Sequence, residues 1–231
     1  KVSFILPVLN AEGILPRCLE SIRKQDFPAD QIEILIADGG STDRTRDIAE
    51  AHGATILHNA ERRAEPGKQL AFAQAQGEYL CFLDADNEIA SADWLRRAIA
   101  ALDAHPDALG FESYYIKAPG DAPINRFITG LLQVSSDPVV RTISKRAHLQ
   151  RESPDGVQEF ELPEDGGYPT GANGFIFKRE WVQSLGENSY HEASFFPELI
   201  RSGRRQLIKI KDLGIHHYYC SKWGDYISKR R

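Results

Sequence analysis

The apolar residues of the first ninety positions fall into short continuous runs, each ending in a polar cluster. Val2-Ser3-Phe4-Ile5-Leu6-Pro7-Val8 reads as a first strand and Ile32-Glu33-Ile34-Leu35-Ile36-Ala37 as a second. Ala54-Thr55-Ile56-Leu57 is a short third and Tyr79-Leu80-Cys81-Phe82-Leu83 a fourth. Runs this short and this uniformly apolar read as strands buried on both faces. Between them the spacing becomes helical. Ile14, Leu15, Cys18, Leu19 and Ile22 make one stripe of a helix from about Ile14 to Gln25, ended by Phe27-Pro28. A second helix follows Asp38-Gly39-Gly40, with Ser41 or Thr42 as its cap and Asp43 in its first turn, and closes near Gly53. A third runs from Gly67 to Gln76. Strands alternating with helices at this spacing make βαβ units, and so an α/β fold on a parallel, right-handed sheet.

Beyond Asn87 the pattern loosens. Ser91 caps a helix through about Ala104, with Trp94, Leu95, Ile99 and Leu102 facing inward, and residues 109–116 form one strand. Ile124, Phe127, Ile128, Leu131 and Leu132 recur at helical spacing, either as a helix packed on the core or as an amphipathic patch for a membrane or lipid-linked substrate. Residues 150–167 are acidic, with Pro and Gly, and read as a mobile loop. A turn-rich stretch, residues 168–174, leads to the strand Phe175-Ile176-Phe177. A helix containing Glu198 and Arg201 stops at Gly203, and residues 206–210 return as a strand. Ile215-His216-His217-Tyr218-Tyr219 then precedes a tail that pairs aromatics with cations, including Lys222, Trp223, Tyr226, Lys229, Arg230 and Arg231.

In a parallel sheet the carboxyl ends of the strands share one edge, where such folds bind ligands. Pro7-Val8-Leu9-Asn10, Asp38-Gly39-Gly40 and Asp84-Ala85-Asp86 should therefore meet in one cleft. The last of these is the sharpest signal. On an extended backbone Asp84 and Asp86 point to the same side. Two such charges roughly 4 Å apart repel by about 4 kcal/mol at an effective dielectric near 20. A divalent cation turns that repulsion into binding, and oxygen ligands suit Mn²⁺ or Mg²⁺. The plainer reading is a polar turn closing a core strand.

With 231 residues, 42% hydrophobic and 26% charged, the chain has ample core for one large domain or two small ones. A net charge of -5 without a basic block in its body argues against general nucleic-acid binding. Three widely spaced cysteines argue against a disulfide framework and for a reducing, cytosolic setting. No apolar run approaches the ~20 residues that span a bilayer, and no signal peptide is visible. Both ends look cut, since the chain opens inside a strand and stops on Lys229-Arg230-Arg231. No G-x-G-x-x-G follows the first strand, and Gly67-Lys68 matches only the tail of a P-loop, so dehydrogenases and P-loop enzymes are disfavoured.

Four segments in order resemble a family-2 glycosyltransferase of the GT-A fold. They are F-I-L-P-V-L-N-A-E, I-A-D-G-G-S-T-D-R-T, P-G-K-Q-L-A-F-A-Q-A-Q-G-E-Y-L-C-F-L-D-A-D and T-G-A-N-G-F-I-F-K-R-E. The resemblance implies a Rossmann-like, mostly parallel central sheet with helices on both faces and a smaller acceptor-side subregion. It also implies one domain over residues 1–231, divided into a nucleotide-sugar half, 1–90, and an acceptor half, 91–231. The activity implied is transfer of a sugar, with inversion, from a UDP- or GDP-sugar to an acceptor hydroxyl or phosphate, on a glycan or a polyprenyl-type lipid.

On that mapping Pro7, Asn10 and Glu12 line the nucleoside pocket, and Asp38 accepts a hydrogen bond from the base. Lys68 approaches the phosphates, Asp84 faces the ribose, and Asp86 binds the metal that stabilises the leaving diphosphate. The family's general base is often an Asp after a Glu, ahead of an apolar-Arg helix and a glycine. Counting back from Gly203, the corresponding dipeptide is His191-Glu192, which makes Glu192 the base, one methylene longer, with Glu198 and Asp165 as rivals. His216 and His217 follow the last strand, where some enzymes with this fold place a further metal ligand; adjacent histidines on a strand face opposite ways, so only one can serve, and His217 is the candidate. The expected location is the cytoplasm at the inner membrane face, with the 121–149 patch and the basic tail as peripheral contacts. A sugar nucleotidyltransferase is the competing enzyme, though Asn10-Ala11-Glu12-Gly13 is unlike its G-x-G-T-R loop. A non-catalytic nucleotide-sugar-binding module would keep Asp38 without needing both Asp84 and Asp86.

Overall fold

The structure is a computed structural model and describes residues 1–133, 147–164, 173–184 and 192–229. Four parallel strands form its frame: β1 (Val2–Val8), β2 (Ile32–Asp38), β3 (Thr55–His58) and β4 (Tyr79–Leu83). Helix α1 (Leu15–Arg23) follows β1, α2 (Thr45–Ala51) follows β2, and α3 (Ala64–Gln74) precedes β4. β5 (Asn87–Ile89) and α4 (Trp94–Ala104) come next, then β6 (Gly110–Phe111) and β7 (Tyr114–Tyr115). The rest comprises α5 (Pro123–Gln133), β8 (His148–Glu152), β9 (Val157–Glu161), β10 (Asn173–Lys178), α6 (Glu180–Ser184), α7 (Glu192–Arg201), β11 (Gln206–Ile210), β12 (Gly214–His217) and α8 (Trp223–Lys229).

A nine-stranded sheet runs β3-β2-β1-β4-β10-β6-β11-β9-β8, and a small sheet runs β5-β12-β7. Strands β3, β2, β1 and β4 are parallel in register, with Val8 opposite Asp38 and Asp38 opposite His58, so their carboxyl ends lie on one edge. β10 is antiparallel to both of its neighbours. Pro7 is tolerated in a central strand because the pairing of β1 with β4 has ended at Ile5. The large sheet buries both faces, as its uninterrupted apolar runs require. On one side α1 and α4 cover Phe4, Leu6, Ile34 and Cys81. On the other, Ala71 and Phe72 of α3 and Phe195, Phe196 and Leu199 of α7 cover Ile5, Leu80, Phe82 and Phe175. Phe177 touches Phe82, Phe175, Phe195 and Phe196 at centroid distances of 5.3–5.9 Å, the tilted and edge-to-face contacts that aromatic rings favour.

Several expected elements take a different form. Residues 150–167 are not one loop: β8 and β9 make an antiparallel hairpin that turns at Ser153 to Gly156, with Gly156 at a φ of 84°. The pattern was hidden because the one buried residue of β9 is polar. Gln158 faces inward, accepting from the Tyr114 hydroxyl at 2.5 Å and donating to Glu152 Oε2 at 2.7 Å. The single strand expected over 109–116 is two short ones in different sheets. Buried Ser113 holds the crossing, accepting from Trp94 Nε1 and donating to the Gly174 carbonyl, both at 3.1 Å. Neither Ser41, Thr42 nor Ser91 caps a helix through its side chain; α2 starts at Thr45 and α4 at Trp94. Of the apolar patch, Ile124 and Ile128 are buried against Cys220, Tyr219 and Tyr226, while Phe127 stays exposed. Trp223 and Ile227 of the tail helix are exposed too. Among the described residues no helix is long and apolar enough to cross a membrane. The turn expected over 168–174 lies mostly outside the described residues.

Candidate active site

The loops after β1 and β2 are latched together by side chains on backbone amides. Asn10 adopts a left-handed conformation, φ 49°, one that Asn tolerates better than most residues. There its Oδ1 accepts from Thr42 N at 2.9 Å, and its own N–H donates to Ser41 Oγ at 2.8 Å. Ala11 N donates to Thr45 Oγ1 at 2.7 Å, Glu12 N to Asp43 Oδ2 at 3.1 Å, and Arg44 N to Glu12 Oε2 at 3.1 Å. Asp38, at the end of β2 and 2% exposed, accepts from Ser41 N at 3.1 and 3.2 Å and from Ser41 Oγ at 2.5 Å. An amide and a hydroxyl thus fix the orientation of this buried carboxylate and satisfy its oxygens. Ser41, Asp43 and Thr45 were missed as site-builders in the sequence. Their signal is the D-G-G-S-T-D-R-T run itself, where short polar side chains follow a tight glycine turn.

Helix α3 approaches the same edge closely. A methyl group on Gly67 would meet Asn59 Nδ2 at 2.9 Å, Ala37 Cβ at 3.1 Å and Pro7 Cβ at 3.3 Å, so the glycine permits that contact. It brings Lys68 into the sheet edge, where the side chain is buried, 3.9 Å from Glu65 and with its ammonium 5.6 Å from the centre of the Phe82 ring. Lysines are seldom buried unless paired or used.

Asp84 and Asp86 sit just past β4, but not on extended backbone. β4 stops at Leu83, and residues 84–86 turn, closed by Asn87 N donating to Asp84 O at 3.0 Å. The chain then reverses into β5, which pairs with β12 so that Asn87 faces His217, and Tyr218 N donates to Asp86 O at 2.8 Å. This pairing carries His217 to the acidic turn: its Nε2 lies 3.5 Å from Asp86 Oδ2, with 13% and 18% of the two side chains exposed. His216 points elsewhere, its Nδ1 2.9 Å from the Ile116 carbonyl, as alternation on a strand demands. The His217 ring also contacts Tyr115 and Tyr219, at centroid distances of 5.3 and 5.5 Å. Burial first, and then the nearby carboxylates Glu112, Asp84 and Asp86, push the Tyr115 hydroxyl well above its usual range, so it remains a neutral donor. Cys18, behind the turn, is likewise held as the thiol by burial and by Asp86 and Asp84.

A divalent cation fits these donors. Carboxylate and imidazole meet in a mostly buried place, with His217 Nε2 turned to Asp86 Oδ2. No cluster of three His, Cys, Asp or Glu side chains occurs among the described residues. A cation here would therefore complete its shell with water and with oxygens of a bound ligand, as Mg²⁺ and Mn²⁺ do at phosphates.

The acceptor-side candidates are less defined. Glu192 opens α7, and its backbone alone is described. Glu198, half-buried, lies further along the same helix beside Phe196 and Leu199. Asp165 lies outside the described residues.

Residues 3–156 match the family described as Glycosyl transferase family 2. The poly(ribitol-phosphate) beta-N-acetylglucosaminyltransferase TarS of Staphylococcus aureus strain Mu50 is 34% identical over 111 residues, covering 46% of this chain and 19% of TarS. The chain spans less than half the length of the curated relatives it matches. Among solved structures, S. aureus TarS 1-349 in complex with UDP-GlcNAc superposes with a TM-score of 0.61 at 20% identity, covering 93% of this chain and 57% of that one. The mannosyltransferase PcManGT from Pyrobaculum calidifontis, in complex with GDP-Man and Mn²⁺, gives 0.65 at 20% identity over 99% and 59%. At these identities the superpositions establish the shared fold.

Proposed function

The chain belongs to glycosyl transferase family 2, and on that premise we propose that it transfers a sugar, with inversion, from a nucleoside-diphosphate donor to an acceptor hydroxyl or phosphate. The observation that carries the reading is the approach of His217 to Asp86 at the edge where Asp38 and Lys68 also stand. Residues 1–90 serve as the donor half and 91–231 as the acceptor half. Asp38, fixed by Ser41, accepts from an N–H of the base, and the latch around Asn10 and Glu12 shapes the nucleoside pocket beside Pro7. Asp84 faces the ribose, and Lys68 neutralises phosphate charge from a desolvated position, where a cation acts more strongly than in water. A Mn²⁺ or Mg²⁺ held by Asp86 and His217, on the Asp84 side of the turn and with water and phosphate oxygens completing its shell, would supply stabilisation of charge on the leaving diphosphate. Glu192, at the start of α7, takes the acceptor proton, with Glu198 and Asp165 as the alternatives.

UDP-GlcNAc and GDP-Man, bound in the two structural neighbours, are the first donors to try. The acceptor is a glycan or polyprenyl-type lipid at the cytoplasmic face of a membrane, a setting supported by exposed Phe127, Trp223 and Ile227 and by the cations that adjoin them in sequence. The experiment is release of nucleoside diphosphate from a panel of donor sugars, by the wild type and by Asp86→Ala, in Mn²⁺ and in EDTA.

A further inference from the structure

We propose that Asn125, on α5, is a positioning residue that aims His217 at the acidic turn; the inference rests on the reading of Asp86 and His217 as cation ligands. Asn125 is 1% exposed. Its Nδ2 donates to the His217 carbonyl at 2.5 Å and to Asp121 Oδ2 at 2.8 Å, and its Oδ1 accepts from Cys220 N at 3.3 Å. One carboxamide thus spans the segment from His217 to Cys220, just where β12 ends and its ladder partners run out.

The reason this matters lies in the imidazole. A metal-binding histidine is ordinarily oriented through its second ring nitrogen, which donates to a carboxylate or carbonyl. His217 lacks that anchor: Nδ1 is buried without a partner among the described residues. The direction of the ring therefore depends on its flanking tyrosines and on the backbone from which it projects. That backbone is held on one side by Tyr218 N donating to Asp86 O and on the other by Asn125. Asn125 takes the place of the missing second-nitrogen bond, acting one covalent step back. Ile124 and Ile128 keep α5 seated against Cys220, Tyr219 and Tyr226, which holds the carboxamide in reach.

The test is Mn²⁺ affinity, read from the electron paramagnetic resonance signal of free Mn²⁺, without nucleotide and with UDP or GDP. It compares the wild type with Asn125→Ala, Asp121→Ala, Thr129→Ala and His217→Ala. Thr129 lies one turn further along α5, is 1% exposed, and its hydroxyl has no hydrogen-bond partner among the described residues, so it controls for loosening of the helix. Loss of an outer partner typically costs 10–100-fold in metal affinity. Asn125→Ala should weaken Mn²⁺ binding at least about tenfold, and Asp121→Ala less and in the same direction, with Thr129→Ala near wild type. Nucleotide affinity in EDTA should be unchanged throughout. Wild-type Mn²⁺ affinity in Asn125→Ala and Asp121→Ala, with loss in His217→Ala, overturns the positioning role alone. Equal loss in Thr129→Ala also overturns it. Wild-type affinity in His217→Ala removes the cation-site reading and this inference with it. Should Asn125→Ala not fold, Asp121→Ala decides: unchanged Mn²⁺ affinity there rejects the proposal.

Discussion

Ser41→Ala tests the latch on which the nucleoside end of the site depends. The hydroxyl removed does two things: it donates to Asp38 Oδ1 at 2.5 Å and accepts from Asn10 N at 2.8 Å. The first loss is the costly one. Asp38 is 2% exposed, and a hydrogen bond to a charged, buried group is worth about 1.5–3 kcal/mol. The second costs little, because Asn10 is exposed and water replaces the acceptor. Asp38 retains the Ser41 amide at 3.1 and 3.2 Å, so the sum stays near the lower half of that range, about 2 kcal/mol. For a chain of this length that lowers the melting temperature by about 4–8 °C. Nucleotide affinity should fall by whatever part of that energy the ligand must restore, up to about 30-fold. The assays are a urea titration, with the midpoint moving at constant slope, and calorimetric binding of UDP and GDP in EDTA. Ser41→Thr, which keeps the hydroxyl, should recover most of both. A Ser41→Ala protein that melts within about 1 °C of wild type and binds nucleotide equally well would refute the argument that this hydroxyl holds Asp38.

Glu192→Gln should leave donor binding nearly intact and cut turnover by about 10²-fold or more, the size of a lost general base. Glu198→Gln should cost under about threefold; the reverse pattern transfers the role to Glu198, and neither effect transfers it to Asp165. Binding to anionic liposomes should be salt-sensitive and weakened in Trp223→Ala, since each cation near such a surface contributes about 1 kcal/mol. Flotation independent of lipid charge, or none at all, would reject the membrane contact.

Much of the donor side was legible because it depends on local pattern and one topological rule. Short apolar runs ending in polar clusters make parallel strands, and parallel strands bring Asn10, Asp38 and Asp84 to one edge whatever the details of packing. The opposite facing of His216 and His217 also followed from alternation alone. What escaped was information held between distant segments. Nothing local says that β12 pairs with β5, which is what brings His217 within 3.5 Å of Asp86. The β8–β9 hairpin hid because an inward position is Gln158, whose polarity is satisfied by Tyr114 across the fold. The split of residues 109–116 between two sheets likewise depends on Ser113 meeting Trp94 and Gly174. Asn125 looked like an ordinary polar residue on an amphipathic helix, and its three bonds become visible only once α5 is docked.

The central claim, that a sugar is transferred from a nucleoside diphosphate at a cation site built on Asp86, is tested most directly by nucleoside diphosphate release across a donor panel that begins with UDP-GlcNAc and GDP-Man. The account predicts release from at least one donor in Mn²⁺, abolition in EDTA, and a loss of about 10²–10³-fold in Asp86→Ala, the size of a missing electrostatic stabiliser of the leaving group. Release of the same magnitude from Asp86→Ala in Mn²⁺, or release from no donor in the panel by the wild type, would contradict it.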